Sequence, residues 1–525
     1  MNIKNDIKWL KEHRFITEIN TPDKLDNVSK LQKYTTQIRV SSKLKYYNEY
    51  LTFEALEDGT FSFSKDGLSY SLDNGTTWNA LRAGSSTPTV NAGSKVLWKG
   101  SYHDTTATIG KFKSTNKFDI EGNIMSLLFG DDFKDKDDLT GYDHCFETLF
   151  SETGVNNAKN LILAANKLTP ACYCDMFNSC VSLISPPELP AINLAEACYD
   201  CIFQNCSSLV EIVELPATTL APYCYSCVFY GTKITKAPEL PATTLAEGCY
   251  NHMFHNCSSL TTTPELPAMN LAPYCYNCMF QNCTSLTKTP ELPAINLERD
   301  CYDEMFAGCT KITKTPKLSS TNLGIACYIQ MFAGCTSLTE ITELPATNLT
   351  EGCYRGMFSG CNKITKVPEL PANQLKPWCY FAMFQNCTSL TETPELPATN
   401  LANYCYHSMF AGCTKITTAP ELPATTLIMQ CYNNMFNGCT SLTTAPELPA
   451  EELVSDCYSG MFKGCSNLNH IKAMFVSDPN TDQYTTNWVS GVSSTGTFVK
   501  NTAATWDVTG PNGIPTGWTI ETADD

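Results

Sequence analysis

The stretch Tyr250–Pro267, YNHMFHNCSSLTTTPELP, decides the fold, because near copies of it fill most of the 525-residue chain. A Cys-Tyr pair opens each copy, at Cys172, Cys198, Cys224, Cys249, Cys275, Cys301, Cys327, Cys353, Cys379, Cys405, Cys431 and Cys457. The step is 26 residues, apart from one step of 25 between Cys224 and Cys249. A fixed period in this range marks a solenoid whose coils rest mainly on their neighbours.

Within a copy, Leu245, Cys249, Met253 and Cys257 fall at steps of four, with Tyr250 and Phe254 beside them. That spacing predicts a helix over LAEGCYNHMF with one apolar face. The residue before the second cysteine is Gly or Asn in almost every copy, Asn256 here and Gly308, Gly334 and Gly360 further on. Both tolerate the left-handed conformation that ends a helix. Leu260 and Thr261 then predict a short strand, one residue inward and one outward, stacked in parallel on the next coil. Pro264 and Pro267 lack the amide donor that a ladder needs, so PELPA is expected to be extended. The expectation is an α/β solenoid of about twelve 26-residue coils. One coil buries too little apolar surface to offset the ordering of its own backbone, so stacking must supply the rest. With strands about 4.8 Å apart, twelve coils would form a curved rod of about 55–60 Å.

The 28 cysteines follow the same period. Thirteen occupy the position of Cys249 and eleven that of Cys257, while Cys174, Cys201, Cys227 and Cys278 are extras. On a helix the two main positions would lie about 12 Å apart. That is too far for a disulfide. A small buried thiol packed at each coil accounts for the pattern without oxidation.

Outside the array the texture changes. Residues 1–48 read as a helical attachment segment, with Leu25, Val28, Leu31 and Ile38 on one face. Residues 49–132 alternate apolar and polar residues between Gly, Asp and Asn turns, which predicts a small antiparallel β-sandwich. In it, Ser71–Trp78, SLDNGTTW, resembles the Asp-box hairpin of sialidase-like propellers. Asp73 would accept backbone hydrogens, Gly75 would take positive φ, and Trp78 would anchor the returning strand, all structural roles. The solenoid is assigned to residues 133–470, starting with a degenerate coil at Cys145, Phe146, Leu149 and Phe150. Residues 471–525 are expected to form a β-rich cap in which Trp488, Phe498, Trp506 and Trp518 cover the last coil. Two irregular copies, at Phe229–Thr232 and Lys317–Ser320, are expected to bend the array.

The phenylalanine, cysteine and leucine positions Phe254, Cys257 and Leu260 resemble those of the BspA-like (Treponema-type) leucine-rich repeats of bacterial surface proteins. The likeness covers about 330 residues, departing in its 26-residue unit and its regular PELPA segment. The layout of β-domain, Cys-Tyr coils and a tail such as GTFVKNTAATWDVTGPNGIPTGWTI is similar to repeat proteins of gut anaerobes and their phages. Those resemblances imply surface or virion display rather than chemistry.

Charge and composition narrow the classes further. A net charge of -17 argues against a nucleic-acid partner, which needs a basic face. No stretch reads as a membrane span. The opening MNIKNDIKWLKEHRF has no apolar run followed by a small-residue cleavage site. The expectation is a protein used inside a cell, released by lysis or assembly, or already processed.

A search for chemistry finds scattered histidines. His252 and His255 stand at i, i+3, and C-x2-C spacings occur at Cys198–Cys201, Cys224–Cys227 and Cys275–Cys278. A zinc site needs a second pair nearby, and a redox motif needs a thioredoxin-like context. Asn205, Asn256, Asn282 and Asn386 match a glycosylation sequon, yet their place before the second cysteine already explains them. No phosphate loop or triad spacing is present. No catalytic residue, metal or cofactor is therefore assigned, and Cys249, Cys257 and Asn256 are read as structural.

What remains is a surface. The position after the outward Thr varies through Thr262, Lys288, Lys314, Glu340, Lys366 and Glu392, a mixed-charge strip suited to a glycan or protein. The reading is a non-enzymatic binding or display protein of a phage virion, or alternatively of a bacterial surface. Its partners would be a cell-surface protein or glycan and a virion component held by residues 1–48, with homo-oligomers compatible. The competing reading is a structural spacer or an intracellular interaction module.

Overall fold

The computed structural model describes residues 45–102 and 110–523. Apart from Lys45–Asn48, the expected attachment helix of residues 1–48 lies outside the described residues. The chain forms two compact units, one ending at Ala242 and one starting at Thr243.

The first unit opens with a β-domain. Strands β1 (Leu51–Ala55), β3 (Leu68–Ser71), β4 (Asn79–Leu81), β5 (Lys95–Gly100) and β7 (Phe118–Asn123) pair antiparallel in the order β4-β3-β5-β1-β7. A second pair, β2 (Phe61–Phe63) with β6 (Phe112–Ser114), packs over them. Alternation drives this layering: Phe53 meets Phe61, Trp98, Phe112 and Phe118 at ring distances of 4.8–5.3 Å. The large sheet does not stop there. Strand β8 (Val155–Ile162) adds to β7 in parallel, and Asn157 bridges Ser185 of the following coil. The sheet thus passes from the β-domain into the first coils, where rings stack as Tyr173–Tyr199–Tyr225 and Phe150–Phe177–Phe203–Phe229.

In the second unit each coil is built differently from the expectation. The helix over LAEGCYNHMF is absent, and the segment is a run of linked turns. Cys249, Asn251, Met253, His255 and Cys257 donate their amides three residues back within the coil, at 3.0–3.3 Å. Gly248, Tyr250, His252, Phe254 and Asn256, between them, donate to carbonyls of the next coil at 2.9–3.1 Å. Every fourth residue is left-handed, with Gly248, His252 and Asn256 at φ 55°, 53° and 60°. Asn256 therefore takes the expected conformation without ending a helix.

Apolar pairs every four residues only mimic the face of a helix. A helix advances about 100° per residue, so a strict four-residue repeat drifts off any one face. The turn run keeps Cys249, Tyr250, Met253, Phe254 and Cys257 buried together. Half of its amides bind the neighbouring coil, so the segment is folded only when stacked.

Stacking aligns identical side chains. Tyr250, Tyr276, Tyr302, Tyr328, Tyr354, Tyr380, Tyr406, Tyr432 and Tyr458 form one column with ring centroids 5.7–6.0 Å apart. Phe254 to Phe462 form a second. The cysteine at the Cys257 position acquires a specific role here. Cys283, Cys309, Cys335, Cys361, Cys387, Cys413, Cys439 and Cys465 donate Sγ–H to the phenylalanine carbonyl of the preceding coil at 3.0–3.2 Å. No disulfide forms among the described residues.

The expected strand shrinks to single parallel bridges such as Lys314 to Glu340 and Thr418 to Thr444. A proline two residues on, Pro316 or Pro420, removes the next donor and ends the ladder. A second row of bridges, Asn270 to Asn296 to Asn322, is reinforced by amide-to-amide hydrogen bonds of 2.6 and 3.0 Å. Beyond residue 470 the parallel stacking continues: β9 (His470–Ala473), β10 (Thr497–Lys500) and β11 (Thr519–Thr522) form one sheet. His470 bridges Thr444, which joins that sheet to the coils.

Candidate functional site

The variable positions of the coils end up as surface rows, and two rows in the second unit stand out. The first is the strip foreseen in the sequence. Thr262, Lys288, Lys314, Glu340, Lys366 and Glu392 are all exposed. Much of the strip is occupied with itself: Lys314 pairs with Glu340 and Lys366 with Glu392, each at 3.1 Å. Beside it, Thr339 and Thr391 donate their hydroxyls to the carbonyls of Thr313 and Thr365. Exposed ion pairs of this kind contribute about 0–1 kcal/mol. The strip is better suited to keeping coils in register than to seizing a ligand.

The second row was not foreseen. Trp378 and Tyr404, left-handed residues just before the Cys-Tyr pair, stack at 5.5 Å. Phe381 lies over His407 at 4.6 Å, Tyr404 meets His407 at 6.0 Å, and the Arg355 guanidinium sits 5.0 Å from the Phe381 ring centre. All four rings are half-buried, so edges and faces remain open to solvent. Burial holds the His407 imidazole below its ordinary range, which favours its neutral form. Rings with open faces and one guanidinium can stack flat apolar faces and bind π-systems. The sequence signal existed, as aromatic residues recur 26 apart at Trp378 and Tyr404, but only the stacking register makes them neighbours.

Comparison with protein families identifies the array. The family model described as BspA type leucine rich repeat region (6 copies) matches four overlapping segments, residues 173–313, 273–391, 300–420 and 380–477. Together these segments span more than half of the chain. The chain belongs to the BspA-type leucine-rich repeat family. No curated protein matches it.

The remaining residues singled out in the sequence take their places around this BspA-type array. In the β-domain, Asp73 accepts the Thr77 amide and hydroxyl at 2.8 and 2.6 Å and the Ser71 hydroxyl at 2.8 Å. These hydrogen bonds, led by that from the Thr77 hydroxyl, hold its carboxyl down at about 2. Gly75 has φ 87°, and Trp78 packs edge-on to Tyr50 under the Lys99 ammonium, 4.3 Å from its ring centre. Asp73 thus closes the β3–β4 hairpin, and Trp78 ties the hairpin to Tyr50. In the array, Cys249 and Cys257 are buried in the core, and Asn256 accepts the Asn282 side-chain amide at 3.0 Å. His252 and His255 bring their Nδ1 atoms to 3.0 Å. Among the described residues no helix is long and apolar enough to cross a membrane.

One half-buried carboxylate gives the BspA-type array a pH signature. Asp303 accepts the Asn277 amide at 3.1 Å through Oδ2, while its buried Oδ1 has no hydrogen-bond partner. Burial, then the charges of Glu304 and Asp300, push its carboxyl up from about 3.8 to about 7. The folded chain therefore keeps a proton that the unfolded chain has lost between about pH 4 and 7, so this group's stabilising contribution declines as pH rises through that window. Asp303→Asn is expected to raise the melting temperature at pH 8 and to flatten its fall between pH 4 and 7. Thermal scans of both proteins across that range check this; equal slopes would refute it.

Proposed function

We propose that this chain is a non-enzymatic binding and display protein whose repeat array contacts a glycan or protein on a cell surface. The family supports the coarser part of that reading, because BspA-type repeats are a protein-interaction and surface-adhesion type and not an enzyme family. The observation that carries the rest is the patch of Trp378, Phe381, Tyr404 and His407 beside Arg355, whose rings are left half-open to solvent. Planar side chains with little conformational freedom lose little entropy on engagement, which is why such residues dominate binding hot spots. We place the protein on a phage particle or, alternatively, on a bacterial surface, because its layout resembles repeat proteins of gut anaerobes and their phages. Residues 1–48 would attach it.

The competing reading, a spacer or scaffold, is favoured by the self-paired strip of Lys314, Glu340, Lys366 and Glu392. The two separate in a binding assay of the full chain on anaerobe cells and on a glycan array. The wild type is expected to bind. Trp378→Ala with Tyr404→Ala is expected to weaken binding at least about tenfold, or about 1.4 kcal/mol. Alanine is tolerated there, since Ala326 fills the same left-handed position of another coil. Absence of wild-type binding would favour the spacer, and full binding by the double variant would move the site elsewhere.

A further inference from the structure

One cluster of metal-ligating side chains lies outside the surface rows. His252 and His255 belong to one coil of the second unit and Cys278 to the next. His252 and Cys278 are stacked equivalents, both left-handed, at φ 53° and 51°. One donor atom from each of the three residues lies within 4.8 Å of the others, and the two imidazole Nδ1 atoms stand 3.0 Å apart. Cys278 is buried and the two histidines are half-buried, so the cluster sits at the edge of the core with access to solvent.

We propose that His252, His255 and Cys278 bind a zinc ion. Zinc takes imidazole nitrogen at about 2.0–2.1 Å and thiolate sulfur at about 2.3 Å in tetrahedral geometry. Those bonds put ligand atoms about 3.3–3.7 Å apart. The imidazole pair is already close to that bite, and the sulfur reaches it through side-chain rotation on the order of 1 Å. Binding replaces the Cys278 thiol proton, which is released to solvent, while the imidazoles bind through lone pairs. The fourth position is left to water. Two nitrogens and one sulfur favour zinc over calcium and magnesium, which take oxygen.

The arrangement departs from what the repeat requires. Elsewhere in this unit the row of His252 holds Glu304, Gln330, Gly356, Ala382, Ser408, Asn434 and Gly460, and the row of His255 holds Gln281, Ala307 and Gln385 among others. The fold therefore accepts many side chains at both positions. Among the described residues, the two histidines at i, i+3 are the ones that lie next to the extra cysteine Cys278. Cys278 lies 26 residues from His252 and 23 from His255, so only the stacking of coils brings it to the histidine pair.

Cobalt(II) titration of the full chain tests the proposal, since a thiolate ligand gives a charge-transfer band and a four-coordinate ion gives intense d–d absorption. A second cluster, Asp200, Cys201 and Cys227 in the first unit, would add its own signal and is silenced with Cys201→Ser and Cys227→Ser. In that background one equivalent of cobalt is expected to give both bands, and zinc is expected to displace it. Cys278→Ser should abolish the charge-transfer band, and His252→Asn or His255→Gln should weaken binding at least about tenfold. All three replacements copy residues that other coils carry in the same rows, Ser408, Asn434 and Gln281, so the fold survives them. No charge-transfer band in the silenced background, a band that outlasts Cys278→Ser, or unchanged affinity in both histidine variants would each overturn the site.

Discussion

Phe358→Ala is expected to destabilise the array by about 3–5 kcal/mol, the range for deleting a buried aromatic side chain. Phe358 is fully buried, 5.8 Å from Phe332 on one side and 5.7 Å from Phe384 on the other, with rings nearly parallel. Its amide donates to Met383 at 2.9 Å, and its carbonyl accepts the Cys387 Sγ–H at 3.2 Å. The deletion thus opens a cavity between three coils at the place where they are hydrogen-bonded. A coil gets its stability from its neighbours, so a weak interface inside the column divides the array into two parts that need not unfold together. Urea unfolding should show an earlier midpoint and a shallower or split transition. Phe358→Leu keeps most of the volume and should cost less than about half as much. A single transition shifted by under about 1 kcal/mol would contradict the view that the columns carry the array.

The same columns explain which parts of the molecule could be foreseen. The Cys-Tyr period, the inward Leu260 and the buried Met253 and Phe254 follow from spacing alone, because a coil must repeat its core residues to stack on itself. The turn run did not follow, although its signal was present. Gly352, Gly356 and Gly360 stand four apart, each with φ between 59° and 75°. Three glycines in one helix would cost it about 1 kcal/mol apiece, which argues against a helix at this segment.

Contacts between coils were the least legible. The pairing of Lys314 with Glu340, the stack of Trp378 on Tyr404, and the meeting of His252 and His255 with Cys278 all join residues about one repeat apart. Reading them requires the register of stacking, which the isolated bridges fix and composition does not. The parallel addition of β8 to β7 is similar, since nothing in VNNAKNLI declares which strand it will join. By contrast, the SLDNGTTW hairpin is a local device, with every hydrogen bond of Asp73 made within four residues.

The end of the array sets the second large effect, because a stack of apolar coils needs a last surface that water cannot enter. Trp488 supplies much of it. Its side chain is fully buried, within 5.9–6.4 Å of the rings of Tyr458, Phe462, Phe475 and Phe498, and its Nε1 donates to the Gly513 carbonyl at 2.9 Å. It takes over from the tyrosine and phenylalanine columns where they stop, at Tyr458 and Phe462. Trp488→Ala is therefore expected to cost about 3–5 kcal/mol, and to loosen the chain from its carboxyl-terminal side first. Hydrogen exchange should accelerate most from about residue 457 onward, while amides near Tyr250 keep their protection. Trp488→Phe retains the ring and loses the donor to Gly513, and should cost about 1–3 kcal/mol through that unpaired carbonyl and the smaller ring. Uniform loss of protection along the whole array would mean that its coils unfold as one body, and that the tryptophan supports the stack as a whole and not its end.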